Sequence, residues 1–218
     1  MEIFLDTANI EEIRRFAFIL DGVTTNPTLI AQAKGRRRFQ DLIQEIVQIV
    51  DGPVSVEAVG QTVDELVPEA ERLAAMSSNI VVKVPVTLEG LAATRKLHAM
   101  GIKTNLTLVF SVNQAILAAK AGATYTSIFV GRMDEIGWDG MAVVRDTVEV
   151  YRRQGLPTRV ITASVRHPLH VTAAAMAGTH AITLPPKVLA SMAAHHLTDA
   201  GLARFLEDWK QVTRTQQE

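Results

Sequence analysis

Eight short runs of β-branched and other apolar residues recur along the 218-residue chain, each followed by a helical pattern. They predict an α/β fold of the (β/α)8, or TIM-barrel, type with an additional C-terminal helix. Three observations carry this expectation. The runs are spaced by roughly 20 to 33 residues, the length of a strand plus a crossover helix in a parallel sheet. The glycine-rich G-x-G-x-x-G turn that a doubly wound sheet usually shows is absent. Eight such units within about 200 residues also fit a compact barrel better than a doubly wound sheet.

In chain order the strands are expected at Ile3-Asp6, Val23-Thr25, Val54-Ala58, Ile80-Val84, Thr104-Leu108, Tyr125-Phe129, Arg159-Ala163 and Ala181-Leu184. Helix starts carry capping-box signatures at Asn9-Ile10-Glu11-Glu12, Thr62-Val63-Asp64-Glu65 and Ser111-Val112-Asn113-Gln114. Gly101, Gly122 and Gly178 stand where helices should end, because glycine adopts the left-handed cap without steric cost. The first helix should turn Ile10, Ile13, Ala17 and Leu20 to the sheet. After the eighth strand, Pro186-Ala194 reads as one helix and a further one runs from Thr198 through Val212, to about residue 214. The apolar stripe of this last helix (Leu202, Phe205, Leu206, Trp209) must pack on its own barrel or on a neighbouring subunit. No linker or low-complexity segment interrupts the chain, so residues 1–218 read as a single barrel domain.

Composition narrows the function. A content of 48% hydrophobic residues allows a sizeable core, and a net charge of -1 gives no electrostatic case for nucleic acid or an anionic membrane. The lack of cysteine excludes disulfides, thiolate metal sites and a cysteine nucleophile. His167 and His170 lie three apart, but no further ligands accompany them, so no metal and no other cofactor is expected. The Lys34, Arg36, Arg37, Arg38 run reads as a solvated helix entry. The N-terminus has neither the basic nor the long apolar segment of a secretory signal, and no apolar run is long enough for a membrane helix. A soluble cytoplasmic protein is expected.

Lys83 is the most informative single residue. It interrupts the apolar run Ile80-Val81-Val82-Lys83-Val84-Pro85-Val86, and lysine is rarely buried without a reason. Burial disfavours an ammonium, and a neutral amine can attack a carbonyl to form a Schiff base; the competing reading is a strand-end lysine that extends its charge into water. Other strand ends add Asp6, then Thr24-Thr25-Asn26-Pro27, Glu57, and the pair Asn105 and Thr107, which share one face. Ser127 and Phe129 also share a face, with Arg132 beyond them and Ser164 and Arg166 after the seventh strand. Taken singly, Asp6 could be a helix cap, Asn26 a turn former and Thr107 an ordinary strand residue. Glu57 among Val54, Val56 and Val59 is harder to explain without a partner. Jointly they describe a reactive mouth. Arg132 and Arg166 lie in the loops after strands six and seven, neighbouring the loops after strands seven and eight where barrels often bind phosphate, and guanidinium forks match phosphate oxygens well, so a phosphorylated substrate is expected.

Six ordered segments together resemble the small transaldolase and fructose-6-phosphate aldolase family of Schiff-base aldolases. They are Leu5-Asp6-Thr7-Ala8, Gly22-Val23-Thr24-Thr25-Asn26-Pro27, Val82-Lys83-Val84-Pro85-Val86-Thr87, Gly101-Ile102-Lys103-Thr104-Asn105, Ser127-Ile128-Phe129-Val130-Gly131-Arg132 and Ala163-Ser164-Val165-Arg166-His167-Pro168. Thr28 and Thr162 depart from the pattern, standing where smaller side chains would be expected, and neither departure threatens the chemistry. The resemblance implies Lys83 as the Schiff-base nucleophile and Asp6 as the base at the C4 hydroxyl. It implies Glu57, through a water held by Thr107, as acid and base for forming and hydrolysing the imine. Asn26 and Asn105, beside Thr25, would hold dihydroxyacetone hydroxyls, and Arg132, Arg166 and Ser164 the phosphate. Members that look like transaldolases carry Glu and Phe where this chain has Glu57 and Phe129, whereas the aldolases carry Gln and Tyr. Ser127, Asn105 and Arg166 also resemble the transaldolase choice. Losing a Tyr hydroxyl removes a proton donor or water-positioning group near the enamine, which favours transfer over release. The resemblance further implies sugar-phosphate substrates of the non-oxidative pentose phosphate pathway. It also implies a pentameric or decameric homo-oligomer in which the last helix reaches a neighbour.

Overall fold

A computed structural model describes residues 1–215. Eight parallel strands close into a barrel in sequence order, with β8 returning to pair with β1. In chain order the elements are β1 (Glu2–Asp6), α1 (Ile10–Phe16), β2 (Gly22–Thr24), α2 (Pro27–Lys34), α3 (Phe39–Ile49), β3 (Val54–Glu57) and α4 (Val63–Ala74). They continue with β4 (Ile80–Pro85), α5 (Leu88–Ala99), β5 (Thr104–Val109), α6 (Val112–Ala121), β6 (Tyr125–Phe129), α7 (Val130–Asp134) and α8 (Gly140–Gln154). The chain finishes with β7 (Arg159–Ala163), α9 (Pro168–Ala177), β8 (Ala181–Leu184), α10 (Pro186–Ala193) and α11 (His196–Thr215). The (β/α)8 barrel with an additional C-terminal helix is thus the observed fold. All eight expected strands form, although β2 starts one residue earlier than expected and leaves Thr25 in the loop.

Local chemistry explains most element ends. The Asn9 side chain caps α1 by accepting from the N–H groups of Glu11 and Glu12. The expected box is not reciprocal there, because the Glu12 carboxylate accepts instead from the Thr7 hydroxyl at 2.6 Å. In α4 the Glu65 carboxylate does reach back to the N–H groups of Gln61 and Thr62, at 2.8 and 3.3 Å. Ser111 caps α6 through Gln114 N–H at 3.2 Å. Gly122 and Gly178 end α6 and α9 in the left-handed conformation, and Gly101, following α5, has φ 75°. The first helix is shorter than its sequence suggests. It ends at Phe16, so its buried stripe is Ile10, Ile13 and Phe16, while Ala17 is exposed. The β2–β3 and β6–β7 crossovers each hold two helices rather than one.

Side-chain alternation along the strands divides the core in two. Residues turned outward (Leu5, Val23, Val54, Val56, Val82, Val84, Leu106, Ile128, Val160, Ile182) pack against the helices. Those turned inward toward the N-terminal end of the barrel are also apolar: Phe4, Val81, Tyr125, Ile161 and Ala181 form a plug. Phe4 and Tyr125 meet edge to face at 6.1 Å, and the Arg159 guanidinium closes the floor between the Tyr125 hydroxyl and Glu2, at 3.1 and 2.9 Å. Two residues further along four of these strands come Asp6, Lys83, Ser127 and Thr183, while Ala163 on β7 still belongs to the apolar cluster. One pleat step turns the apolar plug into a polar mouth.

Beyond the barrel, α11 does not bury its stripe against its own chain: Leu202, Phe205, Leu206 and Trp209 are all exposed. Among the described residues no helix is long and apolar enough to cross a membrane.

Candidate active site

Lys83 is held inside the barrel, 5% exposed, with its amine turned inward. Parallel pairing of β3 with β4 sets Glu57 opposite Lys83, and β4 with β5 sets Lys83 opposite Asn105. Inward-facing side chains in register therefore meet. Lys83 Nζ lies 3.1 Å from Glu57 Oε2 and donates to the Thr25 carbonyl at 2.9 Å. Two partners on a buried amine meet the requirement that such a group not be left unmatched. Thr25 contributes its backbone, while its hydroxyl donates to Ser55 O at 2.8 Å.

Two adjoining cavities open around this amine. One, about 150 Å³, is lined by Asp6, Asn26, Lys83, Ser127, Phe129, Arg132, Ser164 and Arg166, together with Thr24, Ala163 and Thr183. The other, about 440 Å³, shares Asn26, Lys83, Phe129 and Arg132 and adds Glu57 and Thr107. Ten of the twelve residues expected from sequence thus line one continuous mouth. Thr25 and Asn105 line neither cavity. Asn105 is fully buried, its amide oxygen accepting from Ser127 Oγ at 2.7 Å and its amide nitrogen donating to Ser55 Oγ at 3.2 Å. Its observed contacts are with the barrel interior.

Asp6 does not cap a helix. Its Oδ1 accepts from the Thr24 hydroxyl at 2.8 Å, and Thr24 lies 2.6 Å from the Thr183 hydroxyl. Since Thr24 gives its one proton to Asp6, Thr183 must donate to Thr24, forming a chain that ends on the carboxylate. Enclosure by protein raises the Asp6 pKa, outweighing the nearby Lys83 charge, the Thr24 hydrogen bond and Arg166, which all lower it. The result is a carboxylate more basic than an exposed one.

Asn26 does act as a cap, its amide oxygen accepting from Leu29 N–H at 3.0 Å, so its NH2 end is the one available to a ligand. The Thr107 hydroxyl is buried with no hydrogen-bond partner among the described residues, beside Glu57 and Lys83 in the larger cavity. A buried hydroxyl without a protein partner at a cavity wall suits a bound polar group. Its neighbour Leu108 has φ 59° at a register shift in β5. Ser164 also has φ 59°, and these are the two non-glycine residues with positive φ among the described residues. Backbone strain of this kind concentrates at functional sites.

The two arginines frame the outer rim. The Arg132 guanidinium lies over the Phe129 ring at 5.1 Å, and Phe129 in turn meets Phe110 edge to face at 5.9 Å. Arg166 Nε is 2.9 Å from Glu135 Oε1. Thr24 and Thr183 line this site, and Ser55 braces Asn105 and Thr25 beneath it, without standing out in the sequence, because hydroxyl residues are ordinary in strands. The signal they carry is parity: each lies on the inward face, as do Asp6, Glu57 and Lys83. Trp138, 60% exposed, lines neither cavity.

The chain matches the Transaldolase/Fructose-6-phosphate aldolase family over residues 3–217. It belongs to this family of enzymes. It is 54% identical over 216 residues to a probable transaldolase of Desulforudis audaxviator, covering 98% of this chain and 100% of that protein. A probable transaldolase of Herpetosiphon aurantiacus is 53% identical over 97% of this chain and 96% of its own. One from Moorella thermoacetica is 54% identical over 97% and 99%. Family membership accords with an amine, two carboxylates and two guanidinium groups around one mouth.

Proposed function

We propose that this chain is a transaldolase that moves a dihydroxyacetone unit between sugar phosphates through a Schiff base on Lys83. The carrying observation is the buried amine at the cavity wall, 3.1 Å from a carboxylate. A proton on Nζ has Glu57 as an immediate acceptor, so the neutral amine needed for attack can form by a short transfer. Nζ then attacks the C2 carbonyl of a ketose phosphate such as fructose 6-phosphate or sedoheptulose 7-phosphate. Glu57, with the unmatched Thr107 hydroxyl placing a water, returns the proton that lets the carbinolamine lose water as an imine.

Asp6 takes the C4 hydroxyl proton as the C3–C4 bond breaks, and the bond's electrons flow into the iminium to give an enamine. Its raised pKa suits a base at that step. An aldose phosphate leaves, the enamine adds to a second aldose phosphate, and hydrolysis frees the new ketose phosphate. The iminium is the electron sink, so this cycle calls for no metal. Arg132, Arg166 and Ser164 take the phosphate; Asn26 holds a hydroxyl of the transferred unit. Asn105 and Ser127 shape the floor beneath that unit, and Asn105 retains one N–H for it. Phe129, which has no hydroxyl to protonate the enamine, preserves it for the acceptor.

We place this activity in the non-oxidative pentose phosphate pathway of the cytoplasm and in a homo-oligomer, pentameric or decameric, that covers the exposed stripe of α11. Fructose 6-phosphate cleavage with and without erythrose 4-phosphate tests the transfer. Turnover that requires the acceptor supports it; equal turnover without acceptor, with free dihydroxyacetone accumulating, would make the chain an aldolase.

A further inference from the structure

His170 is a buried histidine that the mechanism leaves without a task. It sits on α9, 5% exposed, and both ring nitrogens are engaged. Nδ1 accepts the backbone N–H of Arg166 at 3.3 Å, and Nε2 lies 2.7 Å from Asp134 Oδ2. Because Nδ1 accepts, the ring proton resides on Nε2 and donates to Asp134. Asp134 Oδ1 in turn accepts from Gly140 N–H at 3.0 Å, at the start of α8. This chain of bonds joins the loop that carries Arg166 to α7, the short helix that carries Arg132 two residues before Asp134.

A second contact presses the same two pieces together. Gly131 N–H donates to Ser164 O at 3.0 Å. A Cβ at residue 131 would lie 2.1 Å from that oxygen and 2.7 Å from Arg166 Cγ, so only glycine fits. By contrast, the Glu135 pair on the Arg166 guanidinium is about half exposed on both sides and holds it weakly.

We propose that His170, oriented by Asp134, is a positioning residue for the phosphate site. It fixes the Arg166 backbone relative to α7 and so sets the spacing of the two guanidinium groups. This rests on the reading that Arg132 and Arg166 bind phosphate. The Nδ1 bond needs a neutral imidazole. Burial keeps the ring's pKa below its ordinary value, with His167 and Arg166 acting in the same direction and Asp134 against it. The His167 ring lies against it, tilted by 35°, with centroids 3.8 Å apart.

The test compares fructose 6-phosphate with unphosphorylated fructose as donor, using unphosphorylated glyceraldehyde as acceptor for both. In the wild type, kcat/KM must favour fructose 6-phosphate; equal values would refute the phosphate reading itself. Given that preference, His170→Leu should raise KM for fructose 6-phosphate about tenfold with kcat within about twofold, and leave kcat/KM for fructose nearly unchanged. His170→Asn, whose amide oxygen can accept the Arg166 N–H, should recover most of the loss. Asp134→Asn must offer an N–H to Nε2, which flips the ring tautomer and removes the Nδ1 acceptor, so it should reproduce the KM defect even if His170→Leu fails to fold. Nitrogen NMR of the imidazole should report a proton on Nε2 in the wild type and on Nδ1 in Asp134→Asn. A preserved KM in Asp134→Asn, or a fall in kcat shared equally by both donors, would overturn the assignment.

Discussion

The floor and the mouth of the barrel are built by the same strands, one pleat step apart, and they are opposites in chemistry. Phe4, Val81, Tyr125, Ile161, Ala163 and Ala181 form the apolar floor, and Asp6, Lys83, Ser127 and Thr183 stand above it. The floor is bound together by apolar contact and a closing Arg159–Glu2 pair. The mouth is bound by directed hydrogen bonds that end on groups with work to do: Thr183 to Thr24 to Asp6, and Lys83 between Glu57 and Thr25. Stability and chemistry are thus stacked along one axis, and a side chain's depth, more than its strand, decides which of the two it serves.

Breaking the floor should cost the fold. Phe4→Ala removes a fully buried ring facing Tyr125 and should lower unfolding free energy by about 3–5 kcal/mol in a urea titration, because the cavity cannot collapse inside a closed barrel. Activity of the enzyme that remains folded should hold within a few-fold. If instead activity vanishes while stability is kept, depth does not separate the two roles.

Perturbing the mouth should move a pH profile and leave most of the stability in place. Burial raises the Asp6 pKa, and its proposed role needs the ionised form, so kcat/KM should fall as pH falls through a value higher than that of an exposed aspartate. Thr24→Val removes the donor that favours the carboxylate, so this acidic limb should shift to still higher pH. The stability linkage has the matching sign. A carboxyl with a raised folded pKa favours the folded state below its unfolded value of 3.8 and loses that contribution as pH climbs through the folded one. Asp6→Asn should therefore gain stability relative to wild type across that window. An acidic limb unmoved in Thr24→Val would remove Asp6 from the proposed step.

Much of this is legible in the sequence. Strand positions followed from β-branched runs, and barrel closure from their number and spacing, because a parallel sheet leaves period and length in the sequence. Lys83 and Glu57 stand out because a charge in an apolar run is costly. The less visible parts depend on neighbours distant in sequence. Thr24 and Thr183 are unremarkable alone and become a proton-donating chain only when β8 closes onto β1 beside β2. Asn105 has the right residue type, yet Ser55 and Ser127 occupy much of its amide. The expected first helix ran past its true end because Ala17 continues the apolar pattern although the buried stripe is completed by Phe16. In the sequence His170 reads only as an incomplete metal ligand, since its partner Asp134 lies 36 residues away.

The most direct measurement is reduction with borohydride in the presence of fructose 6-phosphate, followed by peptide mass spectrometry. A covalent adduct of the dihydroxyacetone unit or of the whole ketose on Lys83, lost in Lys83→Met, is the predicted result. Trapping at another lysine, or turnover with no adduct at all, would contradict a Schiff base on this buried amine.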